Sequence, residues 1–240
     1  MFIGGLQKFS LLDYPEKISA IIFTQGCNFR CQFCYNPMLV LPIHSKGGNF
    51  KYQKDHPLYN EGDLFVFLKS RVGKLDAVVI TGGEPTIHKD LIDFIVKIKK
   101  LGFLIKLDTN GTHPEVVKKL IDQKLLDYIA MDIKAPKEKY QKVVGLRVDW
   151  EKIKKSIKII TSSNLPYEFR TTVAPELFSQ SDISSIGKLI KGADKWYLRK
   201  FKSNMDLINP KLKNKKPYLD QEMNKMAEIG RKYVKKCEVK

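Results

Sequence analysis

At 240 residues, 43% of them hydrophobic, the chain can bury a full core without disulfide or metal staples, and its length suits one domain or at most two. Its 43 Lys and Arg against 26 Asp and Glu give a net charge of +17. The lysines are scattered through "KIKK", "EKIKKSIK", "KLKNKK" and "RKYVKK" with little aromatic interleaving, so a solvated basic face is the better reading and a nucleic-acid partner the weaker one.

The N-terminus, "MFIGGLQKFSLLDYPEK", has no signal-peptide pattern, and no stretch approaches the ~20 apolar residues of a membrane span, so a cytoplasmic protein without a membrane partner is expected. The first strand expected is "ISAIIFT", residues 18–24, which runs into "GCNFRCQFCYNP" with Cys27, Cys31 and Cys34. Residues 41–61 are polar, carry Gly47, Gly48 and Pro57, and read as a surface insertion. A helix over 62–71 precedes the strand "AVVIT", 77–81, which leads into Gly82, Gly83, Glu84 and Pro85. In the helix expected over 89–101, Leu91, Ile92, Phe94, Ile95, Ile98 and Leu101 form one apolar stripe.

The strand "FLIKLDT", 103–109, ends on Asp108 and Thr109, and a helix over 114–124 follows. The next strand, "YIAMDIK", 128–134, contains Ala130 and ends on Asp132 and Lys134; a helix over 150–162 follows. "YEFRTTVA", 167–174, carries Arg170, and a helix over 182–191 separates it from the last strand expected, "WYLRKF", 196–201. Residues 202–219, with Pro210 and Pro217, read as an extended linker before a final helix near 220–236. The expected organisation is a barrel domain over 1–201, with 202–240 as linker and packing helix.

Strands alternating with crossover helices imply parallel pairing, which suits either a doubly wound sheet or an incomplete (β/α) barrel. The chemically capable residues recur at the C-terminal ends of the strands, the edge where parallel α/β proteins assemble active sites. Four cysteines with three crowded together are a poor disulfide framework and point to metal. Structural zinc would want a fourth ligand, and His44, His56, His88, His113 and Cys237 stand at no finger-like spacing. A [4Fe-4S] cluster takes one thiolate per iron, so three cysteines leave one iron open to a ligand.

"CNFRCQFC", a Cys-x-x-x-Cys-x-x-Cys with Phe33 before the last cysteine, resembles the signature of the radical S-adenosylmethionine superfamily, and "TGGEP" resembles that family's Gly-Gly-Glu motif. The resemblance implies a partial (β/α)6 barrel and an oxidoreductase whose open iron chelates S-adenosylmethionine at the barrel mouth. Within the superfamily, "GLQKFSLLDYPEKISAIIFTQGCNFRC", "DTNG" and "MDIK" are similar to the glycyl-radical-enzyme activases, above all to that of anaerobic ribonucleoside-triphosphate reductase.

The implied partners are a glycyl radical enzyme and an electron donor such as flavodoxin or ferredoxin. Carried over by matching, Cys27, Cys31 and Cys34 hold the cluster. Gly82, Gly83 and Glu84 hold the methionine amino group and Lys134 its carboxylate, with Phe33 and Arg170 also at the cofactor. Asp108, Thr109, Asp132 and the carbonyl of Ala130 form a monovalent-cation site. The chain departs from the activases in having Tyr35 where they commonly have histidine, and no histidine on the last strand. Two other readings share these motifs in part: a radical enzyme acting on a small molecule or RNA base, of the 7-carboxy-7-deazaguanine synthase or tRNA-modifying kind, and a non-catalytic metal-binding module.

Overall fold

The computed structural model describes residues 1–40 and 58–240, so most of the expected 41–61 insertion, including His44 and His56, lies outside the described residues. Among the described residues, eight strands follow one another in chain order in one open sheet. The first, β1 (Ile3–Ser10), pairs antiparallel with β2 (Ser19–Thr24). Parallel pairing carries β2 to β3 (Ala77–Gly82) and on to β4 (Leu104–Thr109). Further along, β6 (Tyr167–Val173) pairs parallel with β7 (Lys195–Lys200), and β7 with β8 (Lys236–Val239); β5 (Tyr128–Asp132) stands between β4 and β6 in the order. This is the open, parallel α/β arrangement of a partial barrel.

Helices fill the crossovers: α1 (Pro37–Val40), α2 (Glu61–Ser70), α3 (Leu91–Lys99), α4 (Pro114–Asp122), α5 (Lys137–Val144), α6 (Trp150–Thr161), α7 (Gln180–Leu189) and α8 (Asp220–Arg231). Four of the six residues of the expected stripe, Leu91, Phe94, Ile95 and Ile98, are buried by α3, while Ile92 is half-buried and Leu101 lies past the helix end. Helix starts follow side-chain chemistry: Asn60 accepts from the Asp63 amide at the head of α2, and Asp149 from the Glu151 amide at the head of α6. Strand β3 buries Ala77, Val78, Val79 and Ile80 in succession, as a parallel strand covered on both faces does. Among the described residues, no helix is long and apolar enough to cross a membrane.

Four elements lie outside the sequence expectation: β1, the short α1, α5 and β8. β1 is an edge strand with two adjacent glycines and a polar second half, so it carries little apolar signal. In α5 only Tyr140, Val143 and Val144 are buried. The last helix stops at Arg231 instead of near 236, because the following residues bond to the turn before β7: Lys235 N–H donates to Ala193 O at 2.9 Å and Lys236 N–H to Asp194 O at 3.0 Å. Those bonds lead the chain into β8.

The described chain divides into two compact units, one of Met1–Asn28, Asn36–Thr109 and Glu115–Ile129, the other of Phe29–Tyr35, Asn110–Pro114 and Ala130–Lys240. In the first, Tyr14, Ile21, Ala77, Val79 and Tyr128 form a buried cluster. In the second, Trp196 is fully buried and donates its indole N–H to Thr171 Oγ1 at 3.0 Å; that hydroxyl donates in turn to Ile133 O at 2.9 Å. Residues 203–214 are drawn into a loop by the bond from Asn214 N–H to Ser203 O at 3.0 Å, with Leu207 and Leu212 buried beneath it. Such a compact loop with adjoining ends packs on its own side chains.

Gly230 in α8 faces β7 and β8 so closely that an added Cβ would lie 2.5 Å from Cys237 Sγ and 3.2 Å from Trp196 Cε3. Gly230→Ala, which in an open helix position gains about 1 kcal/mol, is therefore expected to cost about 1–3 kcal/mol here. Urea unfolding checks this, and Gly230→Ala combined with Cys237→Ala recovers part of the loss because the nearest clashing atom is gone.

Candidate functional site

In the first unit, the strand end before Cys27 and the glycine turn after β3 are joined by backbone. Gly83 N–H donates to Thr24 O at 2.9 Å and Glu84 N–H to Gly26 O at 2.8 Å, while Gly26 N–H and Cys27 N–H donate to Leu39 O and Val40 O at 2.6 and 3.1 Å. Gly82 lies at φ +110° and Gly26 at φ +96°, in the left-handed region that glycine enters without strain. A Cβ on Gly82 would overlap the Thr24 backbone, and one on Gly83 the Gly26 carbonyl. Both glycines are thus demanded by backbone packing, whatever ligand they also approach.

Glu84 is buried, with 1% of its surface exposed. Its Oε1 accepts from Thr86 N–H at 3.1 Å, Thr86 Oγ1–H at 2.5 Å and Thr109 Oγ1–H at 2.7 Å. A buried carboxylate given donors in this way is held in one orientation and can take a charge-assisted bond from an ammonium group. Asp108 has a protein cation beside it: the Lys106 ammonium stands 3.7 Å from Asp108 Oδ1. Lys106 is itself buried, donates to Asp13 O at 2.5 Å and lies 5.5 Å from the centre of the Tyr128 ring.

In the second unit, the stretch with Cys31 and Cys34 is bracketed on two sides. Arg30 N–H and Gln32 N–H donate to Val144 O and Val143 O at 2.8 and 3.0 Å, and the Gln32 side chain to Lys142 O at 2.8 Å. On the other side, Asn209 donates from its backbone N–H to Gln32 O at 3.0 Å and from its side-chain amide to Gln32 Oε1 at 2.7 Å. Cys34 N–H donates to Cys31 O at 3.0 Å, closing the turn that separates the two sulfurs. Phe33 is buried against Phe178, with ring centres 6.4 Å apart. Tyr35 stacks on Phe201 at 6.2 Å and its oxygen accepts from Lys202 N–H at 2.9 Å.

The acid at the end of β5 is fully engaged. Asp132 Oδ1 accepts from Arg170 Nε–H at 2.8 Å and Oδ2 from Lys134 Nζ–H at 2.9 Å; Glu168 Oε1 lies 4.0 Å from Arg170 Nη1. Two carboxylates and two cations balance. Burial alone would push the Asp132 carboxyl up, but Arg170 and Lys134 outweigh it and hold it well below the usual carboxylate range. Burial likewise works against charge on Lys134, and Asp132 reverses the effect, keeping the ammonium protonated. Burial pushes the Cys31 thiol up to about 12, and Lys134 pulls in the opposite direction.

By residue type and spacing the donor set suits an iron–sulfur cluster, although among the described residues no three Cys, His, Asp or Glu are gathered as a metal site. The three thiols lie within eight residues, the backbone on both sides of them is fixed, and the Lys134 charge acts on Cys31. Iron supplies what burial opposes, since a coordinated thiol is deprotonated. The buried Glu84 and the glycine turn suit a ligand ammonium. The expected monovalent-cation ligands are already engaged to different degrees: Asp132 is hydrogen-bonded by two protein cations, Asp108 has the Lys106 ammonium nearby at 3.7 Å, beyond hydrogen-bond length, and the Thr109 hydroxyl donates to Glu84. Ala130, whose carbonyl was the remaining expected ligand, is buried in β5.

Two residues of this network are absent from the sequence expectation. Thr86 follows directly on "GGEP", and Lys106 stands between Ile105 and Leu107 in an otherwise apolar strand core. A lysine in such a place is a signal of a specific partner, since an unpaired buried ammonium is costly.

A family model described as the radical SAM superfamily matches residues 21–180. A Methanocaldococcus jannaschii protein named "Putative glycyl-radical enzyme activating enzyme MJ1227" is 37% identical over 237 residues, 97% of this chain and 92% of the relative. MJ1632 of the same organism, with the same designation, is 28% identical over 235 residues, 96% of this chain and 83% of the relative. Among solved structures, QueE from Escherichia coli matches with a TM-score of 0.54 at 17% identity, over 100% of this chain and 93% of that one, a likeness of fold. The chain belongs to the radical SAM superfamily and is an enzyme of that kind; membership implies a [4Fe-4S] cluster and S-adenosylmethionine.

Removing the Asp132 charge leaves Arg170 and Lys134 without their shared partner, so Asp132→Asn is expected to lower stability at pH 7 by at least about 2 kcal/mol. Because the native carboxyl is held below the unfolded value of about 3.9, the advantage of the native protein over the variant is complete above about pH 5 and shrinks as pH falls below 4. Urea unfolding of both proteins at pH 7, 4 and 3 checks the sign; a difference that grew on acidification would contradict it.

Proposed function

We propose that the chain is an activase that uses S-adenosylmethionine bound at a [4Fe-4S] cluster to generate a glycyl radical on a partner enzyme, and that anaerobic ribonucleoside-triphosphate reductase is that partner. The observation that carries the reading is the 37% identity, along 97% of the chain, to a relative designated a glycyl-radical enzyme activating enzyme. A bound cluster would supply one electron for reductive cleavage of the sulfonium of S-adenosylmethionine, and the hydrogen atom removed would come from a glycine Cα of the partner.

The chain's own residues do the holding and orienting. Cys27, Cys31 and Cys34 would each give one thiolate to an iron, leaving the fourth iron for the substrate. Glu84, fixed by Thr86 and Thr109, would accept from the methionine ammonium, with the backbone of Gly82 and Gly83 alongside. Lys134 and Arg170 would offset the methionine carboxylate, sharing their charge between it and Asp132. Phe33, packed on Phe178, would keep water from the cysteine turn. A glycine target suits this chemistry because it has no Cβ and can be reached inside a cleft. A one-electron donor of the flavodoxin or ferredoxin kind and a cytoplasmic setting belong to the same proposal, and the +17 charge would speed encounter with acidic protein surfaces.

The test has two parts. After anaerobic reconstitution, Cys31→Ala should lack the brown cluster absorbance, whereas Cys237→Ala, whose sulfur is buried beside Gly230, should keep it. The reconstituted protein, reduced and mixed with S-adenosylmethionine and the reductase, should give the glycyl doublet by electron paramagnetic resonance. Loss of the cluster in Cys237→Ala would overturn the ligand set. A doublet formed on a different glycyl radical enzyme but not on the reductase would overturn the partner, and no doublet on any such enzyme would overturn the activase reading.

A further inference from the structure

The activase resemblance brings with it a monovalent cation at Asp108, Thr109, Ala130 and Asp132, and the structure provides for those carboxylates differently. Lys106 lies two residues before Asp108 on β4, so both side chains leave the same face of the strand. The Lys106 side chain is 4% exposed and its ammonium is 3.7 Å from Asp108 Oδ1. That ammonium is fixed on two further sides, by the bond to Asp13 O at 2.5 Å and by the Tyr128 ring at 5.5 Å. An alkali-metal ion approaching Asp108 would meet a like charge already in place.

Two of the three remaining expected ligands, Thr109 and Asp132, are committed to protein partners. The Thr109 hydroxyl donates to Glu84 Oε1 at 2.7 Å, which ties it to the buried carboxylate. In the second unit, Arg170 and Lys134 each take one oxygen of Asp132. Lys134, Arg170 and Lys106 are all protein cations attached to the backbone, so they need no binding equilibrium.

We infer that Lys106 is a tethered ammonium ion that takes the place of an alkali-metal ion at Asp108, so that the enzyme folds and binds its cofactor without potassium or sodium. This deepens the proposed function, since that reading is what brings a cation site into question, but it can be tested without cluster or S-adenosylmethionine. The thermal midpoint of the full chain is measured in potassium, sodium and tetramethylammonium chloride at equal ionic strength. The wild-type midpoint should be the same in all three. Lys106→Met should have a lowered midpoint in tetramethylammonium that rises saturably by several degrees with potassium or sodium, as binding to the folded state requires. Lys106→Arg should retain the wild-type indifference.

Saturable stabilisation of the wild type by potassium or sodium would overturn the inference, as would a folded Lys106→Met that is indifferent to both ions. If Lys106→Met does not fold, the wild-type comparison decides. A second readout, the affinity of the cluster-loaded wild type for S-adenosylmethionine by calorimetry in the same three salts, should vary by less than two-fold. A protein that shows the thermal pattern yet binds no S-adenosylmethionine would sink the proposed function and leave the tethered ion standing.

Discussion

The structure of the first unit depends on a contact that contains no side chain: the Gly82–Glu84 turn seated on the backbone of Thr24–Gly26. The bonds from Gly83 N–H to Thr24 O and from Glu84 N–H to Gly26 O hold two strand ends at backbone distance, and glycine at 82 and 83 is the condition for that approach. Cys27 follows directly on Gly26 and Glu84 is itself one of the bonded residues, so the backbone at a proposed cluster ligand and at a candidate ammonium acceptor is set by the same pair of hydrogen bonds. A cofactor that must be gripped at its metal end and at its amino group calls for that kind of rigidity.

In the second unit the comparable constraint is electrostatic. Asp132 accepts from Arg170 and Lys134 and keeps the buried Lys134 ammonium charged, while Lys134 also acts on Cys31. A cation so placed favours thiolate over thiol and favours a ligand carboxylate. The bracket from Val143 and Val144 on one side and Asn209 on the other then fixes Gln32, the residue next to Cys31. Tyr35, which stands where related activases commonly have histidine, ties the cysteine turn to the residue after Phe201 through its phenol oxygen.

Much of this was legible in the amino-acid sequence because it rests on local pattern. The apolar runs 77–81 and 103–109, leading into Gly-Gly-Glu and ending on Asp-Thr, placed polar groups at the strand ends, and the cysteine spacing pointed to metal, the radical chemistry being implied by the family resemblance. What stayed hidden depends on partners distant along the chain. Lys106 meets a carbonyl 93 residues earlier, Thr109 a carboxylate 25 residues earlier, and Asp132 a guanidinium 38 residues later. Period and propensity carry no information on such pairings. β1 escaped because its glycines and polar half lack a strand pattern, and β8 because four residues behind a helix are too few to show one.

The account stands on the proposal that Cys27, Cys31 and Cys34 hold a cluster with one iron open to S-adenosylmethionine. The most direct measurement is the yield of 5′-deoxyadenosine and methionine from the reconstituted, dithionite-reduced protein incubated with S-adenosylmethionine and no partner. The account predicts both products in equal amounts, formed by the intact protein and not by Cys31→Ala. A fully assembled cluster that binds S-adenosylmethionine and forms neither product would contradict it.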